Sequence, residues 1–270
     1  MASSTSNTAS NQPGDISSIP PLPVPPGWTL LADRSRPVNA VRPESWPYTA
    51  DDFRRADEFM DSSFYSTPRF VTHIDEPARW RLSQYYAASL PRGGRILDFC
   101  SSWTSHYPPE IRDAVIRGDL EVLGTGMNVH ELQANPFLAK RMGAVYGLNW
   151  PVVHDLNIEP DLSAILDETH EMLDAATCAV SIDYLTQPRE VMSSLRRRVK
   201  VGGVVHLVLS NRFFPTKAIN MWLRTGEEQH LDIVADYLSF SGWSRIEVLQ
   251  SWVPGTALNP LWVVRGVNAG

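Results

Sequence analysis

The richest run of reactive side chains is Asp98-Phe-Cys-Ser-Ser-Trp-Thr-Ser-His-Tyr-Pro108. His106 can serve as a general base near neutral pH, activating a substrate hydroxyl or acid, with the Tyr107 phenol beside it. Equally, the His106 ring can pack under neighbouring helices, hydrogen-bonded to backbone. Ser101, Ser102, Thr104 and Ser105 offer hydroxyls to a carboxylate or an amine, or satisfy an exposed turn. A second group is Asp183-Tyr184, whose carboxylate can orient a cation, accept a proton or cap a turn. Arg212 and Lys217 can hold an acidic substrate, or sit as surface charges beside Phe213-Phe214. Tyr65, Arg69 and His73 fall in a stretch dense in aromatic and polar groups, as candidates for substrate contact, although Arg69 and Asp75 can simply pair. No His, Cys, Asp and Glu cluster has metal-ligand spacing, so no bound metal is expected. Cys100 and Cys178 are too few for a disulfide framework and are expected as reduced thiols.

Such groups act only if rigid elements aim them. Short apolar runs predict strands at Arg95–Phe99, Leu120–Gly124, Pro151–Val153, Ala175–Val180 and Val204–Leu209, with helices between them at Pro109–Arg117, Val129–Met142, Leu162–Glu171 and Arg189–Val199. Alternation of this kind implies an α/β fold with a parallel sheet covered on both faces. Helices near Thr216–Leu223 and Glu227–Phe240 follow, and then strands at Ser244–Leu249 and Leu261–Arg265 as a hairpin at one sheet edge. In an open parallel sheet the ligand crevice lies beyond the carboxyl ends of the strands, which gathers the candidate residues into one place. Upstream, helical spacing at Asp51–Asp61 and Glu76–Leu90 brackets the aromatic stretch and suggests a cap or lid. The expected organisation is a disordered Pro/Ser-rich tail over 1–33, a helical cap over 34–92 and an α/β domain over 93–270, with residues 1–26 dispensable for stability.

Four stretches carry a family resemblance: Gly93-Gly-Arg-Ile-Leu-Asp98, Val122-Leu-Gly-Thr-Gly-Met-Asn-Val-His-Glu-Leu132, Leu173-Asp-Ala-Ala-Thr-Cys-Ala-Val-Ser-Ile-Asp-Tyr-Leu185, and the helix-Gly-Gly-strand run from Arg189 to Leu209. Over roughly Asp75 to Gly266 the chain resembles class I S-adenosylmethionine-dependent methyltransferases, in their type-11-like, small-molecule branch. The resemblance implies a Rossmann-like, seven-stranded, mostly parallel sheet with an antiparallel last strand. It also implies S-adenosyl-L-methionine as cofactor, contacted by Asp98, Cys100, Ser101 and Ser102, by Met127 and Asn128, by Asp155 and Leu156 near the adenine, and by Ser181. His106, Tyr107 and Asp183 are then the catalytic candidates, and Tyr65, Arg69, His73, Tyr184 and Arg212 the substrate contacts. Two departures stand out. The family's turn glycines are replaced by Cys100, Ser102 and Thr104, and its ribose-binding acid by Gly126. Asn128 can supply a ribose contact or, with Glu131, form a capping box. The departures leave open the same fold with lyase, isomerase or pericyclic chemistry, or a non-catalytic binding protein.

At 270 residues and 43% hydrophobic content the chain can bury a sizeable core. A formal charge of -6 disfavours nucleic-acid binding, and the apolar runs are too short to span a bilayer. A cytoplasmic protein with a small-molecule partner is expected, and composition leaves its oligomeric state undefined.

Overall fold

The computed structural model describes residues 19–33, 45–143, 147–169, 172–251 and 259–270. One sheet contains β1 (Thr29–Asp33), β2 (Gly94–Asp98), β3 (Leu120–Gly126), β4 (Val152–Val153), β5 (Leu173–Ala179), β6 (Val199–Ser210), β7 (Ser244–Ser251) and β8 (Leu261–Val267). Their spatial order is β1-β7-β8-β6-β5-β2-β3-β4. Strands β2 to β6 are parallel, whereas β8 runs antiparallel to β6 and β7, and β1 antiparallel to β7. The central strands are apolar because both faces are covered. The architecture is therefore Rossmann-like, and it has eight strands where seven were expected.

The helices are α1 (Asp61–Phe64), α2 (Glu76–Ser89), α3 (Pro109–Arg117), α4 (Val129–Ala134), α5 (Pro188–Arg198), α6 (Asn220–Arg224) and α7 (Glu227–Ser239). Helix α3 has its predicted limits, with Pro109 in the first turn and Gly118 left-handed after the last. Helix α4 stops eight residues short of its expected end at Met142. Asn135 precedes Pro136, which disfavours helical backbone, and its side chain is bound to the turn after β2. The Asp51–Asp61 helix is replaced by a 3-10 turn over Ala50–Phe53 and a bridge from Arg55 to Ile219. The helix predicted from Leu162 is a 3-10 turn over Leu162–Ala164; its expected end at 170–171 lies outside the described residues.

Each face of the sheet has its own core. Helices α5, α6 and α7 cover one face, with Leu195, Trp222 and Tyr237 buried. Helix α2 covers the other, where Leu82, Tyr85 and Tyr86 pack with Ile96, Ala175 and Val208 from three strands. It is thus part of the α/β layering, and the expected boundary between cap and domain at residue 92 does not hold for it.

The N-terminal tail is also corrected, for residues 19–33; residues 1–18 lie outside the described ones. Trp28 is buried, its ring centroid 5.0 Å from that of Tyr85. Arg265, paired with Glu247 at 2.6 Å, donates to the Pro23 carbonyl at 2.9 Å, and Arg245 donates to the Ile19 and Pro20 carbonyls. A proline run has free carbonyls and no amide hydrogens, which suits it to guanidinium donors. Strand β1 then covers β7, so the closing hairpin is not the sheet edge.

Candidate active site

The chain leaves β2 toward β3 on one side and returns from β4 to β5 on the other, so the switch point lies between β2 and β5. A cavity of about 330 Å³ opens there, lined by the turns after β2, β3, β5 and β6 and by the 61–73 segment. That volume suits a small ligand.

Register builds the floor. Asp98 ends β2 opposite Thr177 of β5, and its buried carboxylate accepts from Thr177 Oγ1 at 3.1 Å and from Ser101 Oγ and Ser105 Oγ at 2.6 Å each. Burial pushes its pKa up to about 6, against hydrogen bonds that favour the charge. Among the described residues no cation pairs with it.

The turn that follows lacks glycine yet keeps a glycine-like backbone. Cys100 has φ +53°, while Phe99 N–H donates to the Thr177 carbonyl at 3.0 Å and Ser101 N–H to the Thr125 carbonyl at 2.7 Å, holding the chain to both neighbouring strands as it reverses. His106 (φ +57°) and Val180 (φ +47°) line the same cavity in the same sparsely allowed region. Strain of this kind persists only where the surroundings enforce it. At Gly126 a Cβ would overlap the Ser101 carbonyl oxygen. The turn leans onto the end of β3, and that contact leaves no space for an acidic side chain there.

The other cofactor-side candidates fall into place around this turn. Met127, Asp155 and Leu156 line the cavity, with Asp155 Oδ1 accepting from Asn157 N–H at 2.9 Å. Ser181 also lines it, its hydroxyl turned to the Ala179 carbonyl. Asn128 caps α4 by accepting from the His130 and Glu131 amides, and its amide group donates to the Tyr65 and Ser66 carbonyls. Its hydrogen-bonding capacity is therefore already committed. Glu131 does not complete a capping box. One of its oxygens accepts from Ser102 Oγ at 2.6 Å and the other from Arg69 N–H at 2.6 Å, tying the glycine-free turn to the 61–73 segment. Trp103 makes a second tie, donating to the Val71 carbonyl at 2.9 Å. The turn thus leaves the cleft open.

Across the cavity, Phe214 gathers the remaining candidates. Its ring centroid lies 5.2 Å from His73, 5.6 Å from Phe64 and 6.0 Å from Tyr184, and its N–H donates to the Tyr184 hydroxyl at 2.8 Å. The Arg69 guanidinium sits 4.5 Å from the Phe64 ring centroid, donates to the Phe64 carbonyl and does not pair with Asp75, which caps α2. Burial raises the pKa of Tyr65 and Tyr184, so both phenols stay protonated. His106 is pushed down to about 4, by burial first and then by Arg79 and His73, which makes it a neutral imidazole at physiological pH. Arg212 lines the rim at an exposed position.

Three expectations fail here. Tyr107 is a core residue, its hydroxyl 2.6 Å from Thr177 Oγ1 and its ring 5.1 Å from Tyr86 and 5.5 Å from Phe137. Asp183 lies beneath the cavity, because the 3-10 turn over Ile182–Tyr184 directs Tyr184 into the site and buries its neighbour. Lys217 is fully buried, its ammonium 3.1 Å from Asp61 and 3.2 Å from Asp57, with the Phe59 carbonyl at 2.7 Å. Asp61, Asn157 and Glu131 were missed as site residues. For Glu131 a signal existed: it begins a helix aimed at the crevice. Cys100 lines the cavity beside the buried Cys178, whose thiol pKa is raised by burial and by that neighbour.

No family model and no curated protein matches the chain. Solved structures do. The CurJ carbon methyltransferase is 17% identical at a TM-score of 0.46, over 71% of this chain and 54% of its own, so this chain spans about half of that one's length. An S-adenosylmethionine-dependent methyltransferase from Mesorhizobium loti is 17% identical at 0.44, over 70% and 97%. A TehB-like one from Corynebacterium glutamicum is 14% identical at 0.36, over 77% and 97%. Identities this low leave the activity to be argued from the site.

Proposed function

We propose that the chain is an S-adenosylmethionine-dependent methyltransferase acting on a small molecule, with residues around 61–73 as its lid. The observation that carries this is Asp98: a buried carboxylate at the switch point, supplied with three hydroxyl donors and no cation, on the floor of an open cavity. That carboxylate, with no cation of its own among the described residues, is the acceptor an amino-acid ammonium group requires. Met127 and Leu156 offer apolar walls to an adenine and Asp155 an acceptor for its exocyclic amine. The space closed at Gly126 means that ribose recognition passes to backbone and to residues other than a β3 acid.

When bound, the cofactor supplies an electrophilic methyl group carried on a sulfonium. The chain's task is alignment and exclusion of water. Tyr65, Phe214 and Trp103 wall the acceptor side, and Tyr184 is oriented by the Phe214 amide. His106 stays a neutral imidazole above about pH 4, too weak a base to keep a proton at neutral pH; it accepts a hydrogen bond from the acceptor group, whose proton passes to solvent as the new bond to the methyl group forms.

Calorimetric titration with S-adenosylhomocysteine tests the reading. Micromolar binding is expected at pH 8, and it should weaken as pH falls through about 6, where Asp98 takes up a proton. Asp98→Asn should weaken it about tenfold or more at pH 8 and remove that pH dependence. Silence at millimolar ligand, or a pH dependence that survives the substitution, refutes it.

A further inference from the structure

The acceptor side carries a charge that the protein leaves unmatched. Arg69 and Arg212 line the cavity, and Arg79 of α2 stands behind His106 with its Nε buried and unpartnered. Among the described residues none of the three pairs with a carboxylate. The Arg69 guanidinium has one carbonyl acceptor and two ring faces, Phe64 at 4.5 Å and Phe214 at 5.5 Å, which hold it in place without neutralising it. Arg212 has a single long bond of 3.4 Å to Asn259. The nearby acids are engaged elsewhere. Asp61 is matched by Arg55 and Lys217, Glu131 accepts from Ser102 and the Arg69 amide, and Asp75 accepts from Ala78 and Asn259 amides. His73 and His106 are correspondingly held neutral, by burial with the arginines adding to it.

Resting on the methyltransferase reading, we infer that the acceptor substrate is an aromatic carboxylic acid, its carboxylate held by Arg69 and Arg212 and its ring seated against Phe214 and Tyr184. Guanidinium forks match the two coplanar oxygens of a carboxylate, and Arg69, stacked between rings, is already oriented to use its fork. The aromatic walls take a flat ring, and they exclude the water that would otherwise weaken the ion pair. The cavity lining carries Asp61, Asp98, Glu131 and Asp155 as well as the two arginines; Asp61 is matched by Arg55 and Lys217, and Glu131 meets the Arg69 backbone amide and not its guanidinium.

The test is calorimetric titration of the intact chain with 3-(4-hydroxyphenyl)propanoate, its carboxamide, tyramine and phenyl phosphate, each with and without saturating S-adenosylhomocysteine. The carboxylate should bind about tenfold or more tighter than the amide and tyramine. Arg69→Gln and Arg212→Gln should each remove most of that preference, lowering carboxylate affinity far more than amide affinity, and Arg69→Lys should restore only part of it. Arg212 is exposed, so its variant carries the test should Arg69→Gln fail to fold. Binding of the amide or tyramine equal to that of the carboxylate, tighter binding of phenyl phosphate, no carboxylate binding at millimolar concentration, or a preference untouched in the variants would overturn the inference. A carboxylate preference in a chain that ignores S-adenosylhomocysteine would keep the anion site and dismiss the methyltransferase reading instead.

Discussion

Asp183 shows how one turn of backbone separates two adjacent candidates. It is buried with Oδ2 unpartnered, and burial pushes its pKa up to about 8. The folded chain therefore holds a proton at neutral pH that the unfolded chain, titrating near its ordinary value of about 4, has released. Its contribution to stability is complete below that ordinary value and is lost as pH rises through about 8. The groups that feel its charge, Tyr65, Tyr184, Tyr237 and Cys178, all have raised pKa values and stay neutral across that window. Asp183→Asn should accordingly gain on the native chain as pH rises from 5 to 8, by on the order of 1 kcal/mol per pH unit. Melting temperatures of both chains across that range read this directly, and a constant gap would place the titration elsewhere. The sequence marks Asp183 and Tyr184 alike as polar residues after a strand. Which of them faces the ligand depends on a 3-10 turn that no side-chain pattern announces.

Among the elements, those whose ends are written in local chemistry were legible. The runs that became β2, β3, β5 and β6 read as buried strands, and α3 carries its own proline start and glycine stop. In the connection from β6 to α7 the helix expected near Thr216–Leu223 forms as α6, but the burial of Lys217 was not legible, because long-range ion pairs fix it. Lys217 reaches Asp61, which Arg55 also grips with two bonds at 2.8 and 3.0 Å and Asn157 at 2.8 Å. This cluster anchors the start of the 61–73 segment to the turn after β6. Replacing Lys217 by Met strands two carboxylates beside an apolar side chain, so it should cost about 3 kcal/mol, the low end for a broken buried pair because Arg55 remains. Adding Asp61→Asn should recover part of that loss, giving a non-additive cycle in denaturant unfolding. Additive losses would mean that the two residues act independently.

For the whole molecule, the parallel sheet and the place of the crevice followed from alternation of strands and helices, whereas Asp98, Asn128, Asp155 and Ser181 were picked out by the family resemblance. Strand β1 did not follow. Its run, Thr29-Leu-Leu-Ala-Asp33, is short, and its partners lie at the far end of the chain. Composition alone made residues 19–28 look featureless, yet Trp28 fills a core position and the proline carbonyls meet Arg245 and Arg265. A chain beginning after Asp33 should therefore melt about 10 °C or more below the full one, given several kcal/mol for a buried tryptophan and the usual scaling of melting temperature with size. Calorimetric scans of the two chains would show it, and equal melting temperatures would make Trp28 and β1 as dispensable as composition suggests for residues 1–26.

That arrangement sets a timetable for synthesis. Pro23 and Arg265, joined by a hydrogen bond in the finished fold, are 242 positions apart. At the roughly 5–20 residues per second of translation, the N-terminal segment waits on the order of 10–50 s before its arginines exist. Trp28 meets Tyr85 early in that interval, but the leucines of β1 have no neighbouring strand until β7 is made. Strand β1 can thus join the sheet only after β7 has been made, and a transcript cut short before β7 releases a chain in which β1 lacks that neighbour.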